Sequence, residues 1–309
     1  MDLLNDILST LNLKGTLYFR TEFSGKWAVT VPTLADAARF HLVVKGRCHV
    51  RIDDDQYQAL SPGDIILIPK GRSHILSDVP QKTAPPLEKI ITQSGYKGDG
   101  LLVYGCKSAG LQTQMVCGHF SFRPRAEHPL LNHLSDFITV TAAGRKKLPL
   151  LDESLRLIAE RVFSESIGST AAVTRLSEIV FMEILQSVMG KSGDHSFMLD
   201  ALRDARIAKS LQLIHGQPNK PWTVESLARE VAMSRSRFSE RFRGLVGETP
   251  MSYLTEWRLQ KSLELLGDTQ QPVQRIANDM GYQSPAAFTR AFQGKFGISP
   301  KEYRVREFA

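Results

Sequence analysis

The chain has 309 residues, 42% of them hydrophobic and 23% charged, with a formal net charge of +7. No run approaches the ~18 consecutive apolar residues of a membrane-spanning helix, and the start, with Asp2, Asp6 and no basic region, differs from a secretory signal. This composition is typical of a globular protein of one or two domains. We therefore expect a cytoplasmic protein with no membrane partner.

The cysteines and the charges narrow the class further. Cys48, Cys106 and Cys117 lack CxxC spacing and predict neither a disulfide framework nor a zinc finger. Residues 200–309 carry 17 Lys and Arg against 12 Asp and Glu, so most of the positive excess lies in the last third. Such an excess attracts polyanions, of which nucleic-acid phosphates are the usual example.

Residues 15–122 are predicted to form short strands. The runs are "FHLVV", "CHVRI", "IILIP", "LLVYGC" and "QMVCGHFSF", with turns at Lys45-Gly46, "DDDQ" and "SPGD". Closely spaced strands without intervening helices favour a small antiparallel barrel or sandwich. Residues 79–89, which contain three prolines, are predicted to be a loop.

From about Leu150 the apolar spacing becomes helical. Two helices are predicted, within 150–166 and 171–190. The predicted inward stripe of the second consists of Leu176, Ile179, Val180, Glu183, Ile184 and Val188. It is expected to pack against its own domain, with pairing to a second copy as the alternative. "GKSGDHS" (190–196) is predicted to be the interdomain linker.

The last third contains one short unit twice. "AREVAMSRSRFSERF" (228–242) is echoed by "ANDMGYQSPAAFTRAF" (277–292), with an offset of 49 before the central turn and 50 after it. A single insertion falls in a turn because a helix cannot absorb it without losing register. Two helices around a tight turn predict a helix-turn-helix in each copy. The alternative is a helical bundle with a chance repeat.

The expected turns and caps follow the same plan in both copies. Thr223 and Ser234 are predicted to cap the helices of the first copy, with Ala232 in its turn. In the second copy Gly281 suits a left-handed turn, and Ser284 precedes a proline at the first helical position. Because the copies share a core and differ in their exposed faces, one chain is expected to read two different half-sites.

The second helix of each unit presents side chains that can contact DNA. Arginine matches guanine or phosphate oxygens, glutamate accepts from cytosine, and small side chains touch thymine methyls. The predicted contact residues are Ser234, Arg235, Ser236, Arg237, Ser239, Glu240 and Arg243 in the first unit, and Gln283, Ser284, Pro285, Ala286, Thr289 and Arg290 in the second.

Between the units, "TPMSYLTEWRLQKSLELL" predicts one helix of about sixteen residues, or ~24 Å. Thr249 is expected to cap it, and its predicted apolar anchors are Tyr253, Leu254, Trp257 and Leu265 or Leu266. Added to the widths of the two units, this spacer is expected to place the reading helices near the ~34 Å repeat of successive major grooves. Ser299 and Glu302 predict a capping box for a last helix.

These motifs resemble the AraC/XylS family of transcription regulators, from about Arg203 to Arg304. "GYQSPAAFTRAFQGKFGISPKEYR" carries the most specific similarity, and "YLTEWRLQKSLELL" resembles the family's linker helix. The resemblance implies promoter DNA and RNA polymerase as partners, with activation as the typical direction. It places Arg235, Ser236, Ser239, Glu240, Pro285, Ala286, Thr289 and Arg290 at reading positions. Arg258 is expected to hold the linker helix in place.

The N-terminal half resembles the cupin-like sensing domain of part of this family. Gly63, Pro69, Gly71 and His74 match the second cupin motif, whereas position 43 is valine where a metal-binding cupin has a histidine. "VCGHF" and "EHPLL" resemble the reactive-chlorine-sensing subgroup. The expected fold is α+β: a cupin-like β-barrel sensor at 1–149, a helical coupling or dimerisation segment at 150–195, and an all-α double helix-turn-helix domain at 196–309.

Four residues of the barrel are candidate sensors. His41 and His74 are expected to face each other, and Cys117 and His119 share a strand face. They offer ligands for a metal ion, a wall for an organic effector, or an oxidisable thiol. The alternatives are hydrogen-bonded histidines without a metal and inert buried cysteines, including Cys48 and Cys106.

The sequence thus predicts a sequence-specific transcription regulator, and no enzyme. One alternative is a metal-dependent cupin enzyme with an accessory DNA-binding domain. Another is a structural nucleoid protein, which would bind DNA with little sequence preference.

Overall fold

The computed structural model describes residues 3–52, 57–98, 100–105, 111–132, 134–162, 169–188 and 197–307. No helix in these ranges combines the length and the apolar composition that crossing a lipid bilayer requires. The predicted turn "DDDQ", the linker 190–196 and Cys106 lie outside the described residues.

The described part of the chain begins with one helix, continues mainly as strands and ends in helices. In order they are α1 (Leu3–Leu11), β1 (Lys14–Ser24), β2 (Ala28–Val31), β3 (Ala37–Lys45), β4 (Cys48–Arg51), β5 (Tyr57–Leu60), β6 (Ile65–Ile68), β7 (His74–Ser77), α2 (Leu87–Ser94), β8 (Leu101–Gly105), β9 (Gln112–Ser121), α3 (Pro129–Asn132), β10 (Ile138–Val140), α4 (Ala142–Arg145), α5 (Pro149–Val162), α6 (Ser169–Val188), α7 (Phe197–Arg203), α8 (Ala205–Gly216), α9 (Val224–Glu230), α10 (Arg235–Val246), α11 (Pro250–Asp268), α12 (Val273–Asp279), α13 (Pro285–Phe296) and α14 (Pro300–Glu307).

The chain divides into two compact units. The barrel unit comprises Leu13–Phe122 and Leu134–Asp194, and the helical unit comprises Met1–Asn12, Arg123–His133 and His195–Ala309. The predicted division is therefore corrected in two places, because 1–12 and 123–133 belong with the helices of the C-terminal part. The physical reason is packing: α1 lies against α8 and α11, and polar side chains of 123–132 bind α11 and α13.

The barrel unit is built from two sheets. One has the order β10-β6-β3-β9-β1-β8 and the other β2-β7-β4-β5. Apolar side chains of both sheets meet in one core, which includes Phe23, Val50, Ile66, Leu76 and Met115. The predicted strands are confirmed, but β8 runs parallel to β1 instead of antiparallel.

A helix falls where part of a loop was predicted. The prediction of a loop at 79–89 is wrong in its last three residues, because α2 begins at Leu87 directly after Pro86. Proline at 86 is compatible with a helix start, since its fixed φ and missing N–H cost nothing there. Ile90 of α2 is fully buried in the core between the sheets.

The stripe predicted on α6 is half right. Val180, Ile184 and Val188 are buried, whereas Leu176, Ile179 and Glu183 are only partly buried. The buried row runs instead through Ser177, whose hydroxyl lies where a side chain at Gly15 of β1 would stand. This close approach to the strand rotates the inward face away from the predicted stripe.

In the helical unit the predicted helix caps are confirmed. The Thr223, Ser234, Thr249 and Ser284 hydroxyls each accept a backbone N–H in the first turn of α9, α10, α11 and α13. Ser299 and Glu302 form the predicted reciprocal capping box at the start of α14. These helices thus begin at the residues that local hydrogen-bond chemistry predicts.

Candidate DNA-reading surface and sensor cavity

The first helix-turn-helix consists of α9 and α10. Leu227, Ala228 and Val231 are buried on the inner side of the unit, as predicted. Ala232 lies in the turn with φ of 52°, a left-handed conformation that costs a residue with a Cβ roughly 1 kcal/mol. Phe238 and Phe242 of α10 are fully buried, so the opposite side of that helix faces solvent.

The second unit, α12 and α13, has a turn that only glycine fits. Gly281 has φ of 72°. A Cβ at this position would also stand 2.8 Å from the backbone oxygen of Asn219 and 2.7 Å from Nη2 of Arg258. Phe288 and Phe292 anchor α13 in the core. Conformation and space therefore both explain why this copy of the turn carries glycine.

The predicted contact residues lie on the two reading helices, α10 and α13, or at their N-caps, except Gln283, which directly precedes the N-cap of α13. Ser234, Arg235, Ser236, Arg237, Glu240, Arg243, Gln283, Ala286 and Arg290 are exposed, and Ser239, Ser284, Pro285 and Thr289 are partly buried. The Nε of Arg235 lies 2.8 Å from Oε1 of Glu225. Because this pair is largely exposed, a phosphate can replace the carboxylate at little cost.

The linker helix α11 has 19 residues, which corresponds to ~28 Å. Tyr253, Leu254, Trp257 and Leu266 are its buried anchors; of the two predicted leucines, Leu265 is only partly buried. Arg258 donates from Nε to the backbone oxygen of Pro218 at 2.7 Å and from Nη2 to that of Lys220 at 3.1 Å. These bonds confirm that Arg258 holds the linker helix.

In the barrel unit, His41 and His74 face each other as predicted. Their Nε2 atoms are 2.8 Å apart, and the Nδ1 of His74 lies 2.8 Å from the backbone oxygen of Arg72. His74 must therefore carry its proton on Nδ1 and accept at Nε2 from the Nε2–H of His41. This leaves the Nδ1 of His41 as a bare acceptor, and it has no hydrogen-bond partner among the described residues.

Burial keeps both imidazoles neutral. The pKa of His74 is lowered to about 4, chiefly by burial. The pKa of His41 is also well below its usual value because of burial, with smaller contributions from His74 and Arg39. Neither ring therefore carries a charge near neutral pH.

Cys117 and His119 are not brought into a metal cluster with the two histidines. Cys117 lies opposite His41 in the β3–β9 register, but the described residues contain no group of three or more His, Cys, Asp and Glu placed to hold a metal ion. His119 is only partly buried and lies further along β9. The four candidates thus do not form a conventional metal site.

The thiols are poorly suited to oxidation. Cys48 and Cys117 are buried. Burial raises the pKa of Cys48 to about 12 and also raises that of Cys117. Arg39 acts in the opposite direction on Cys117 but does not outweigh burial. Since the thiolate is the reactive form, burial and the raised pKa values favour the interpretation of these two residues as inert buried side chains.

A small apolar cavity adjoins His41. Its volume is about 20 Å³, room for about one water molecule. The wall is formed by Phe19, Thr21, Phe23, Val29, Val31, His41, Leu76, Leu87, Leu102, Met115 and Cys117. Apart from His41 and Cys117, the wall residues were not predicted from the sequence, although the alternation of residues 19, 21 and 23 along β1 places them on one face of the strand.

These features define a DNA-binding protein with two helix-turn-helix units and a β-barrel domain with an internal cavity. The comparisons with known proteins agree. Residues 2–190 match the family described as "Cupin", and residues 227–306 match the family described as "Helix-turn-helix domain".

Curated relatives span nearly the whole chain. The HTH-type transcriptional regulator AlkR of Acinetobacter baylyi is 32% identical over 98% of this chain and 99% of its own length. A putative AraC-like transcription regulator of Streptomyces antibioticus is 30% identical over 98% of each chain. The RCS-specific HTH-type transcriptional activator RclR of Escherichia coli is 25% identical over 87% of this chain and 84% of its own. The chain belongs to the AraC family of transcription regulators with an N-terminal cupin domain.

We expect Arg290→Ala to weaken binding to the DNA that the full-length protein selects from a random pool by about 1–3 kcal/mol. The exposed guanidinium on α13 is the strongest donor of the second reading helix, so its loss should also relax specificity at one base position. Affinity measured by fluorescence anisotropy at fixed salt gives both quantities.

Arg175→Ala is the matched control for Arg290→Ala. Arg175 is 80% exposed on α6 of the barrel unit, so its loss removes the same charge outside the helical unit and should leave affinity unchanged. Unaltered affinity of a folded Arg290→Ala protein would show that Arg290 does not contact DNA.

We expect the barrel unit to lose stability as the pH falls from about 7 to about 4. The folded pKa of His74, about 4, lies below the unfolded value of about 6.5, so the unfolded chain binds a proton that the barrel excludes. The stabilisation is complete above pH ~6.5 and is lost on acidification, by roughly 3 kcal/mol for this group. Chemical denaturation at several pH values measures it.

In His74→Gln the slope of unfolding free energy against pH should become shallower. Ile66→Ala, which truncates a buried side chain paired with His41 across β3 and β6, should lower stability at every pH but keep the slope. An unchanged slope in His74→Gln would refute the role of His74.

Proposed function

We propose that this regulator responds to a small organic molecule that binds in the barrel cavity against His41. The observation that carries the proposal is the buried Nδ1 of His41, an acceptor without a partner among the described residues, on a residue of the cavity wall. Leaving such an acceptor unpaired costs roughly 1–3 kcal/mol. A ligand hydroxyl or N–H would recover that free energy.

The chemistry of the wall specifies the rest of the ligand. Apart from Thr21, His41 and Cys117, its side chains are aliphatic, aromatic or thioether groups, which favour an apolar body. Because the hydroxyl of Thr21 is oriented toward the backbone oxygen of Met115 at 3.5 Å, His41 is the principal polar contact. The proposed effector is therefore an apolar molecule with one hydrogen-bond donor.

The size of the cavity links binding to movement. A volume of about 20 Å³ is far below the several hundred Å³ of typical ligand pockets. An effector must displace side chains of β1, β7, β9 or α2, and only a ligand that binds one arrangement better than another can shift their populations. The described arrangement is thus proposed to be the effector-free one.

A metal or a thiol fits the site less well. Zinc or iron would need three or four ligands, whereas the described residues supply only the His41–His74 pair, already joined by a hydrogen bond. The buried thiols of Cys48 and Cys117 have raised pKa values. For the same reasons we propose no cupin enzyme activity for this chain.

The partners follow from the DNA-binding family. We propose promoter DNA in the cytoplasm as the target, with specific sequences preferred over bulk DNA, unlike a nucleoid protein. Activation through contact with RNA polymerase is the direction typical of the family. The partly buried Leu176 and Ile179 on α6 offer an apolar surface for a homodimer.

Native mass spectrometry of the purified full-length chain, with metal analysis of the same sample, tests the effector. We expect an added organic mass in the wild type and its loss in His41→Phe, which removes the acceptor. His49→Gln, a change on β4 outside the cavity wall, should keep the mass. A stoichiometric metal would contradict the proposal.

If the effector is lost during purification, two probe molecules test the same hydrogen bond to His41. 1-Hexanol and hexane differ by one hydroxyl, so thermal stabilisation by the alcohol should exceed that by the hydrocarbon in the wild type but not in His41→Phe. Equal effects of both probes in the wild type would contradict a hydrogen bond to His41.

A further inference from the structure

Two short segments of the helical unit flank the chain of the barrel. Residues 1–12 precede it and residues 123–133 follow its first part. They leave the barrel side by side, because Lys14 of β1 pairs with Ser121 of β9. Beyond that pair, the N–H of Arg123 donates to the backbone oxygen of Leu11 at 2.7 Å. We call α1 and residues 123–132 together the clamp.

The second segment of the clamp binds the linker helix. Nη2 of Arg123 donates to Oδ2 of Asp268 at 2.7 Å, at the C-terminal end of α11. The N–H of Glu127 donates to Oε1 of Gln260 at 3.0 Å. Arg123 is 3% exposed, so this ion pair is partly shielded from solvent, unlike a surface pair.

The same segment also binds the second reading helix. Arg125 donates to the backbone oxygen of Phe296, the last residue of α13, and the Glu127 carboxylate accepts from Lys295 at 3.1 Å. Arg125 has φ of 65°, a conformation that costs about 1 kcal/mol and that the surrounding contacts must offset. The clamp therefore joins α11 to the C-terminal end of α13.

A chain of buried hydrogen bonds ties both segments to α8 and α11. The N–H of Leu130 donates to Nδ1 of His128, so Nε2 of His128 donates to the Tyr253 hydroxyl at 3.1 Å. That hydroxyl donates to Nε2 of His215 at 2.7 Å, and Nδ1 of His215 donates to Asp6 of α1 at 2.8 Å. Every donor and acceptor in this network has a hydrogen-bond partner when both histidines are neutral.

The clamp leaves the reading faces free. Arg235, Arg237, Ala286, Arg290 and Gln293 are exposed, whereas the clamp binds the linker helix, α8 and the far end of α13. It does not cover the predicted DNA contacts. Its contacts can fix position without blocking recognition.

We propose that the clamp sets the relative position of the two reading helices, so that they engage two half-sites as one rigid reader. Preorganised units gain from the second half-site without a further entropy cost, whereas loosely joined ones pay it on binding. The linker helix itself packs against α10, α12 and α13. The clamp adds hydrogen bonds to α8, α11 and α13.

Tyr253→Phe tests the clamp in the full-length protein. The substitution keeps the ring and removes the hydroxyl that joins His128 to His215. We expect affinity for the DNA selected by the wild type to fall at least about ten-fold, or about 1.4 kcal/mol. Affinity for the same DNA with the second half-site scrambled should change less than about two-fold, because one unit needs no fixed partner.

A second variant and a control separate release of the clamp from general damage. Arg123→Ala with Glu127→Ala removes the side-chain bonds to Asp268 of α11 and Lys295 of α13, and it should lower the ratio of full-site to half-site affinity. Tyr104→Phe removes a hydroxyl in the barrel unit and should leave it unchanged. Hydrogen exchange of residues 3–11 and 123–132 should be faster in both clamp variants.

The possible outcomes distinguish a failure of the clamp proposal from a failure of specific DNA recognition. Faster exchange in the clamp with an unchanged ratio of full-site to half-site affinity, or with a higher ratio, overturns the proposal. Retained slow exchange in both variants also overturns it, since these contacts would not hold the clamp. Failure of the wild type to select any DNA would instead refute specific DNA recognition.

Discussion

The hydroxyl of Tyr253 is buried between two imidazoles, and its double role constrains the helical unit. It accepts from His128 and donates to His215, while the His215 ring stacks on Trp257 with centroids 3.5 Å apart. An unpaired hydroxyl or imidazole at this depth would cost several kcal/mol. Asp6, His128 and His215 come from distant parts of the chain, so the core of the unit requires all of them.

The barrel contains a second pair of buried histidines, His41 and His74, whose hydrogen-bond network is not fully satisfied by the described residues. Around Tyr253 each donor meets an acceptor, and the network ends at the carboxylate of Asp6. The pair of His41 and His74 also begins at a backbone group, but it ends at an acceptor with no partner among the described residues. A satisfied network stabilises one structure, whereas an open end invites a ligand. Similar chemistry thus serves packing in one unit and, in our proposal, effector binding in the other.

Two strands connect the barrel cavity directly to the clamp. Phe19, Thr21 and Phe23 of β1 and Met115 and Cys117 of β9 line the cavity. The same strands continue into α1 and residues 123–132. The two strands that line the cavity are thus the ones that lead directly into the two segments of the clamp.

The sequence predicted the features that depend on local chemistry. Ser234 and Ser284 as caps, Gly281 in its turn and the buried Phe238 and Phe288 follow from spacing within a few residues. Facing histidines at 41 and 74 followed from the resemblance to cupins.

Features that depend on long-range contacts were not predictable. Asp6 and His215 are 209 residues apart in sequence, and no periodicity links them. The "EHPLL" stretch, which contains His128, stood out only by its resemblance to a subgroup. Its role in the helical unit depends on where β9 ends, which a single sequence does not specify.

Sequencing the DNA that the full-length protein retains from a random pool tests most directly whether the two reading helices act together. We expect two conserved blocks whose centres are about one helical turn, or ~10 base pairs, apart. A single block, or two blocks with freely varying spacing, would contradict a rigid double reader.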